Sequence, residues 1–278
     1  MTPQLESYVP AIKEFMIKAV FFDIDGTLVP FGDHCLPESA RRAIADIRRS
    51  GVKVFIATGR HPEWINNLGD TEWDGFVAAN GSYCVLGDRR TEVYRREIPA
   101  DDLQRLVPFV EHHPMPFVVV PAGGGIFRTS SDRYLTESQS ILRFPDTPVR
   151  PVSDALTMPV VQMMVFGSPE QISESQLFQR TLLHCEPTSW SRLFSDIVPE
   201  GSNKGVGIDM MIRHFGIDLS ETMAFGDGGN DIAMLRHAGI GVAMGNAAPE
   251  VKAAADYVTT DVDADGIAAA LRHFGLTQ

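Results

Sequence analysis

The chain has 278 residues, a formal net charge of −12, and 44% hydrophobic and 22% charged residues. This composition is typical of a globular protein with a sizeable core, and the acidity argues against general nucleic-acid binding, because phosphate backbones require a basic surface. No apolar run approaches the roughly 20 residues of a membrane span, whereas a small phosphorylated substrate remains compatible, since a local site can be positive on an acidic surface.

The first strand is expected after an N-terminal extension. Residues 1–15 lack the continuous apolar segment of a secretory signal, so we expect the ordered core to begin near Met16. Residues 19–22 are apolar, which is typical of a parallel strand buried on both faces. The run stops at Asp23 and Asp25, which point the same way because alternate strand residues share a face. Such like charges are costly unless a cation or a phosphate-handling role explains them, although Asp, Gly and Thr are also ordinary turn residues.

Helices and strands then alternate along the chain. We expect helices over residues 37–49 and from near Pro62, and strands over residues 52–57 and 76–79. These two strands end at Thr58-Gly59-Arg60 and at Asn80-Gly81. This alternation predicts a doubly wound, Rossmann-like α/β core with a parallel sheet, in which ligands bind outside the carboxyl ends of the strands.

The pattern changes within residues 87–196. We expect strands over residues 93–98, 117–120, 125–129 and 160–166, and helices over residues 101–110, 131–142 and 169–184. The short strands predict a small, mostly antiparallel sheet, and therefore an inserted α+β unit between two core segments, residues 16–86 and 197–278. The residue types in this unit that favour contacts with a bound molecule are Arg128, Trp190 and Arg192.

The alternation resumes after the inserted unit. We expect helices over residues 204–214, 232–237, 249–255 and 265–274, and strands over residues 222–225, 240–244 and 257–259. Lys204 therefore starts a helix. Asp227, Asn230 and Asp231 lie in the turn and helix start that follow a strand.

Four clusters fall on one edge of the predicted sheet: Asp23 with Asp25, Thr58 with Gly59, Lys204, and Asp227 with Asn230 and Asp231. Asp23, Asp25 and Asp227 supply the hard oxygen ligands that Mg²⁺ prefers. Thr58 and the N–H groups after it could hold phosphate oxygens at a helix N-terminus, and Lys204 could neutralise a carboxylate and a phosphoryl group. Taken singly, each cluster is also explained by a turn, a helix cap or a solvated lysine. Their coincidence favours phosphoryl transfer, for which aspartate is a known nucleophile.

The motifs Phe-Asp-Ile-Asp-Gly-Thr, Ala-Thr-Gly-Arg, Asn-Lys-Gly and Gly-Asp-Gly-Gly-Asn-Asp occur in this order along the chain. As a set they resemble the motifs of the haloacid dehalogenase superfamily of phosphatases. The inserted unit is similar in position and size to the cap of its Cof-type, sugar-phosphatase-like branch. The resemblance extends from about Met16 to the C-terminus and implies an α/β core with a cap domain that governs substrate specificity.

The resemblance implies roles for the two carboxylates of the first motif. Asp23 would attack phosphorus and form an aspartyl-phosphate. Asp25 would protonate the leaving group and then deprotonate the hydrolytic water. A second aspartate at position 25 is typical of the phosphatases of this superfamily, so dehalogenase chemistry is not expected.

The resemblance also implies how the phosphate and a metal ion would be held. Thr58 and Gly59 would bind the phosphoryl oxygens, and Lys204 would balance their charge. Asn230 would lie close to the phosphate, and Asp231 would support the metal site or Lys204. The implied ligands of Mg²⁺ are Asp23, the Asp25 backbone carbonyl and Asp227.

We therefore expect a magnesium-dependent phosphatase acting on a small phosphorylated metabolite, with a sugar phosphate as the leading candidate, and not on a nucleic acid or a membrane. Two alternatives stay open: a phosphomutase resembling the phosphomannomutases of the superfamily, and a non-catalytic phosphate-ligand sensor on the same fold. Three widely spaced cysteines without a CxxC pair predict neither disulfides nor a zinc site and fit a cytoplasmic protein. The oligomeric state is not encoded in any of these patterns.

Overall fold

Two β-sheets organise the chain in the computed structural model, which describes residues 16–31, 35–188 and 191–278. The strands are β1 (Ala19–Phe22), β2 (Lys53–Ala57), β3 (Gly75–Ala78), β4 (Tyr83–Leu86), β5 (Glu92–Arg95), β6 (Phe117–Pro121), β7 (Phe127–Arg128), β8 (Val160–Phe166), β9 (Cys185–Thr188), β10 (Phe194–Pro199), β11 (Thr222–Gly226), β12 (Ile240–Ala243) and β13 (Tyr257–Val258). The helices are α1 (Glu38–Arg49), α2 (Ala100–His112), α3 (Arg133–Leu142), α4 (Pro169–Glu174), α5 (Leu177–Arg180), α6 (Lys204–Phe215), α7 (Ile232–His237), α8 (Pro249–Lys252) and α9 (Gly266–His273). The predicted extension over residues 1–15 lies outside the described residues.

The larger sheet has eight strands in the order β13-β12-β11-β1-β2-β3-β4-β5. Its first six strands are parallel, and β4 and β5 extend it in antiparallel fashion. In the register of this sheet Phe22 of β1 lies between Ile56 of β2 and Phe225 of β11. The carboxyl ends of these three strands are therefore level, which brings the segments that follow them to one place.

Alternation along β1 explains why helices cover both faces of this sheet. All four residues of β1 are buried, and successive side chains point to opposite faces. Val20 and Phe22 belong to the core cluster that includes α1 and α9, whereas Ala19 and Phe21 pack in the cluster that includes α6 and α7. The doubly wound α/β core predicted from the sequence is confirmed.

The smaller sheet has five antiparallel strands in the order β7-β6-β8-β10-β9. One of its faces is covered by α2, where Leu106 and Phe109 pack with Phe117 and Val119 of β6. The opposite face, which carries Val120, belongs to the same hydrophobic cluster as the core sheet. This second face therefore points toward the carboxyl ends of the core strands. We call residues 96–200, which contain this sheet, the cap.

Sheet membership shifts the edges of the predicted units. β5 lies within residues 87–196 but pairs with β4 of the larger sheet, and β10 continues past residue 196 as a strand of the smaller sheet. Neither the antiparallel pair β4–β5 as an extension of the core sheet nor the strands β9 and β10 were predicted. The division into a core and an inserted cap remains a proposal, with boundaries near residues 96 and 200.

Three predicted helices are wrong in length, one of them the helix expected over residues 249–255, which ends at Lys252. The helix expected from Pro62 is a single 3₁₀ turn over Pro62–Trp64, because no amphipathic pattern or helix former continues it past Ile65. The helix expected over residues 169–184 is broken into α4 and α5 at Gln176, whose φ of +55° is left-handed. No helix in the described part of the chain is both long and apolar enough to span a bilayer.

Candidate active site

The two aspartates of the first motif lie directly after β1. The Asp23 N–H donates to the carbonyl of Phe225 at 3.0 Å, so parallel pairing continues one residue past the strand and carries the Asp23 side chain to the sheet edge. The chain then turns at Gly26, whose φ is +88°. A Cβ at Gly26 would lie 2.2 Å from Oδ2 of Asp227. Glycine is therefore required here both by the left-handed backbone and by the close approach of that carboxylate.

Lys204 lies at the centre of the site. It is the first residue of α6, which is capped by Asn203, whose side chain accepts from the Val206 N–H at 3.1 Å. The Lys204 ammonium is fully buried and donates to Oδ1 of Asp23 at 2.6 Å and to Oδ1 of Asp231 at 2.5 Å. Burial alone would lower the pKa of Lys204, but the two carboxylates outweigh it and raise the pKa above its ordinary value. The lysine therefore stays charged.

Three carboxylates lie together around this ammonium group. One oxygen each from Asp23, Asp227 and Asp231 falls within 4.8 Å of the others. Burial, together with the charge of Asp231, raises the pKa of Asp23 well above its ordinary value and that of Asp227 to about 7. A bound cation would offset this repulsion, so the donor set fits a hard divalent ion.

Both oxygens of Asp231 already accept hydrogen bonds from protein groups. Its Oδ2 accepts from the N–H groups of Asp227 and Gly228 at 2.9 and 2.8 Å, while its Oδ1 accepts from Lys204. Asp227 is oriented in turn by the Thr27 hydroxyl, which donates to its Oδ1 at 2.8 Å. Asp231 therefore positions Lys204 and the Asp227 loop, in keeping with the supporting role that the resemblance implied.

Asp25 is held by a buried arginine. Arg60 donates from Nε and Nη2 to the two carboxylate oxygens of Asp25 at 2.7 and 2.6 Å, a bidentate pair. The same guanidinium donates to the carbonyl of Leu142 in the cap at 3.1 Å and to that of Trp64 at 3.3 Å. Arg60 thus links the carboxylate of Asp25 to the end of α3.

Thr58 and Gly59 follow β2 at the same edge. Thr58 is buried, and its hydroxyl accepts from the Arg60 N–H at 3.1 Å. The predicted helix N-terminus at this point is wrong, since residues 62–64 form only a 3₁₀ turn. Any anion here would meet the Thr58 hydroxyl and loop N–H groups instead of a helix end.

A polar network joins the core to the cap beside these residues. Asn80, in a left-handed conformation with φ of +52°, donates from Nδ2 to Oε1 of Gln162 at 3.1 Å and to Oδ2 of Asp196 at 2.9 Å. Its Oδ1 accepts from Asn230 at 3.0 Å. Gln162 also donates to the carbonyl of Gly59 at 3.0 Å. Sequence reasoning missed Gln162 and Asp196, although Gln162 is the one polar residue of β8 and Asp196 is a charged residue within β10, which is a signal of a partner outside the strand.

These groups surround a cavity of about 330 Å³ between the core and the cap. Its lining includes the predicted site residues Asp23, Asp25, Thr58, Gly59, Asp227 and Asn230. The cap and the segment after β1 contribute Phe31, Val120, Phe144, Gln162, Met164 and Asp196. Arg128 and Arg192 do not line it, since Arg128 pairs with Asp146 and Arg192 is exposed, and Trp190 lies outside the described residues.

Comparisons with known proteins agree with this geometry. A family model described as haloacid dehalogenase-like hydrolase matches residues 20–271. The protein YkrA of Bacillus subtilis (strain 168), named as a candidate phosphatase, is 35% identical over 266 residues, which are 93% of this chain and 98% of that protein. The subclass IIB sugar phosphatase BT4131 is 41% identical with a TM-score of 0.86, over 94% of this chain and 100% of that one. The phosphatase BT1666 from Bacteroides thetaiotaomicron is 32% identical with a TM-score of 0.86, over 98% and 100% of the two chains.

Proposed function

The chain belongs to the haloacid dehalogenase-like hydrolases, as a phosphatase of their Cof type, and we propose that it hydrolyses a small phosphomonoester through an aspartyl-phosphate on Asp23, in a reaction that depends on Mg²⁺. The observation that carries this proposal is the buried ammonium of Lys204, within 2.6 Å of both Asp23 and Asp231. An ion pair that only stabilises the fold needs a single carboxylate. Here Lys204 contacts two carboxylates, and the carboxylate of Asp227 lies beside them as a third, next to an open cavity.

The residues present fit a magnesium site. Asp23 and Asp227 would hold the ion together with the backbone carbonyl of Asp25, because hard oxygen donors suit Mg²⁺, and the two oxygens of Asp231 are already engaged. When bound, the ion would neutralise charge between the Asp23 carboxylate and the phosphoryl group, which otherwise repel each other.

In the first half-reaction an oxygen of Asp23 attacks phosphorus. The bond between phosphorus and the ester oxygen breaks, and that oxygen leaves with the bonding electrons and takes a proton from Asp25. Lys204 balances the charge around the attacking carboxylate, and Thr58 supplies a hydroxyl beside the phosphoryl oxygens. Because Arg60 occupies both oxygens of Asp25 in this structure, Asp25 must turn away from Arg60 to act as the acid.

In the second half-reaction water attacks the phosphorus of the aspartyl-phosphate. Asp25 now takes a proton from that water, and the bond from phosphorus to Asp23 breaks, which releases inorganic phosphate and restores the Asp23 carboxylate. Asp25 therefore alternates between acid and base, and it ends each cycle protonated for the next leaving group.

A sugar phosphate is the substrate class that we propose first. The similarity to the sugar phosphatase BT4131 supports it, and a cavity of about 330 Å³ is large enough for one small ligand. We further propose a cytoplasmic location, which the three unpaired cysteines support.

Phosphate release tests the proposal. The purified protein with Mg²⁺ is expected to release inorganic phosphate from an aryl phosphate and from hexose phosphates. Asp23→Asn should lower kcat by at least about a thousandfold, because the nucleophile is lost, while Asp263→Asn at an exposed position outside the cavity should leave kcat unchanged. Full activity of Asp23→Asn would refute the mechanism.

A further inference from the structure

The cavity offers almost no positive charge to a substrate beyond the phosphoryl group. Among the described residues that line it, Arg60 is the one lysine or arginine, and its guanidinium is already paired with both oxygens of Asp25. His61 also lines the cavity, but burial lowers its pKa, so the ring is neutral near neutral pH. Lys204 lies behind Asp23 and Asp231, which it bridges.

Besides Asp23, Asp25 and Asp227, the cavity lining carries two further carboxylates and several apolar side chains. Asp196 of β10 approaches it from the cap, where its Oδ2 accepts from the Asn80 amide at 2.9 Å. Glu250, the second residue of α8, also lines the cavity and is exposed. The apolar part of the lining includes Phe31, Trp64, Val120, Phe144 and Met164. The Trp64 and Phe144 rings stack with their centroids 4.8 Å apart.

We propose that this cavity selects phosphomonoesters whose alcohol part is uncharged or carries an amine, and that it rejects alcohols bearing a carboxylate or a second phosphate. The inference rests on the proposed function and narrows its substrate class. An anion on the alcohol part would lose hydration beside aromatic side chains and would meet the carboxylates of Asp196 and Glu250, while the one arginine of the described lining is already paired with Asp25. An ammonium group would find both carboxylates and aromatic faces.

Specificity of this kind comes from repulsion as much as from attraction. The phosphoryl group itself is accommodated, because Lys204 and the proposed cation site lie beside Asp23. A second anion on the same molecule has no such partner among the described lining residues. The same shortage of cations also disfavours a phosphomutase, since a mutase of this type must hold a bisphosphate.

A matched pair of substrates tests the charge selection. Sorbitol 6-phosphate and 6-phosphogluconate differ at one carbon, which is a hydroxymethyl group in the first and a carboxylate in the second. With saturating Mg²⁺, kcat/KM is expected to be at least about 30-fold lower for 6-phosphogluconate, because like charges brought together at a binding site repel each other. The kcat/KM for glucosamine 6-phosphate should equal or exceed that for glucose 6-phosphate. The kcat/KM for fructose 1,6-bisphosphate should be low, as for the other esters with a second anion.

Reversing the charge of Glu250 tests whether this residue contributes to the selection. Glu250→Lys is expected to raise the ratio of kcat/KM for 6-phosphogluconate over sorbitol 6-phosphate by about fivefold or more, since one repulsive charge becomes attractive. Glu170→Lys is the matched control, because Glu170 is likewise exposed and likewise the second residue of a helix that begins with proline, but lies outside the cavity. This control should leave the ratio unchanged.

Three results would overturn the proposal. The first is a wild-type ratio of kcat/KM for 6-phosphogluconate over sorbitol 6-phosphate that is near one. The others are no change of this ratio in Glu250→Lys, or an equal change in Glu250→Lys and Glu170→Lys. Failure of the proposed function looks different, because then no ester would release phosphate. In that case calorimetric titration of the two esters into Asp23→Asn with Mg²⁺ decides the charge selection by itself. Weaker binding of 6-phosphogluconate supports it, and equal binding or no binding of either ester refutes it.

Discussion

Removing the ammonium group of Lys204 gives the sharpest test of the charge balance at the site. Lys204→Met keeps an unbranched apolar stem but leaves Asp23 and Asp231 buried without the cation that now lies 2.6 and 2.5 Å from them. Breaking a buried ion pair by deleting one partner costs about 3–5 kcal/mol of unfolding free energy. Because this deletion strands two carboxylates, we expect the upper end, about 5 kcal/mol.

A surface lysine supplies the control for this change. Lys18 pairs with Glu221 at 2.7 Å, but its side chain is 45% exposed, against 0% for Lys204. Lys18→Met is therefore expected to cost at most about 1 kcal/mol. Urea denaturation of both variants, with and without Mg²⁺, measures the difference. Added Mg²⁺ should stabilise both variants, because an ion that binds only the folded state favours folding, but it should stabilise Lys204→Met more, since there it also offsets two carboxylates left without a cation. Equal losses in the two variants would refute the argument that Lys204 balances buried charge.

Three further changes probe other parts of the site. Gly26→Ala places a Cβ 2.2 Å from Asp227 and should abolish the Mg²⁺ response of phosphate release. The control is Gly51→Ala, because Gly51 has a similar φ but open space around it; this variant should lose only about 1 kcal/mol of unfolding free energy. Equal phosphatase activity of the two variants would contradict the site geometry. Burial lowers the pKa of His61, so its contribution to stability is complete above the unfolded pKa of about 6.5 and falls as the pH drops below it. Urea unfolding at about pH 8 and about pH 5.5 should therefore differ less in His61→Gln than in the wild type, and an unchanged difference would exclude His61 as the cause. Gln162→Met removes the amide that bridges core and cap and should cost about 1–3 kcal/mol in urea unfolding; no loss would show that the bridge does not hold the cap.

The core and the group of polar residues at its sheet edge could be predicted because their signals are local. The apolar run of β1 ends at Asp23, and the strand before Asp227 and the helix start at Lys204 are equally plain in the sequence. A parallel sheet then brings strand ends to one edge whatever the intervening loops do. The sequence left open whether Arg60 pairs with a site carboxylate or stays exposed, because that depends on which way a loop side chain turns after its strand ends; in the structure it pairs with Asp25.

The contacts between core and cap could not be obtained in this way. Gln162 and Asp196 are recognisable as polar residues in apolar strands, but their partner Asn80 is 82 and 116 positions away in sequence. Only the docking of one sheet over the other creates those contacts. The same holds for the place of the antiparallel strands β4 and β5 in the core sheet, since β4 joins it by pairing with β3 and β5 by pairing with β4.

The most direct test of the central claim is to find the phosphoryl group on Asp23. Asp25→Asn keeps the nucleophile but removes the base that activates water, and an aryl phosphate needs little help from an acid to leave. Reaction of Asp25→Asn with an aryl phosphate and Mg²⁺, followed by acid quenching and mass spectrometry of the peptides, should show one added phosphoryl group on the peptide that contains Asp23, and none in a variant that also carries Asp23→Asn. A phosphoryl group on another residue, or turnover that continues with Asp23→Asn, would contradict the claim.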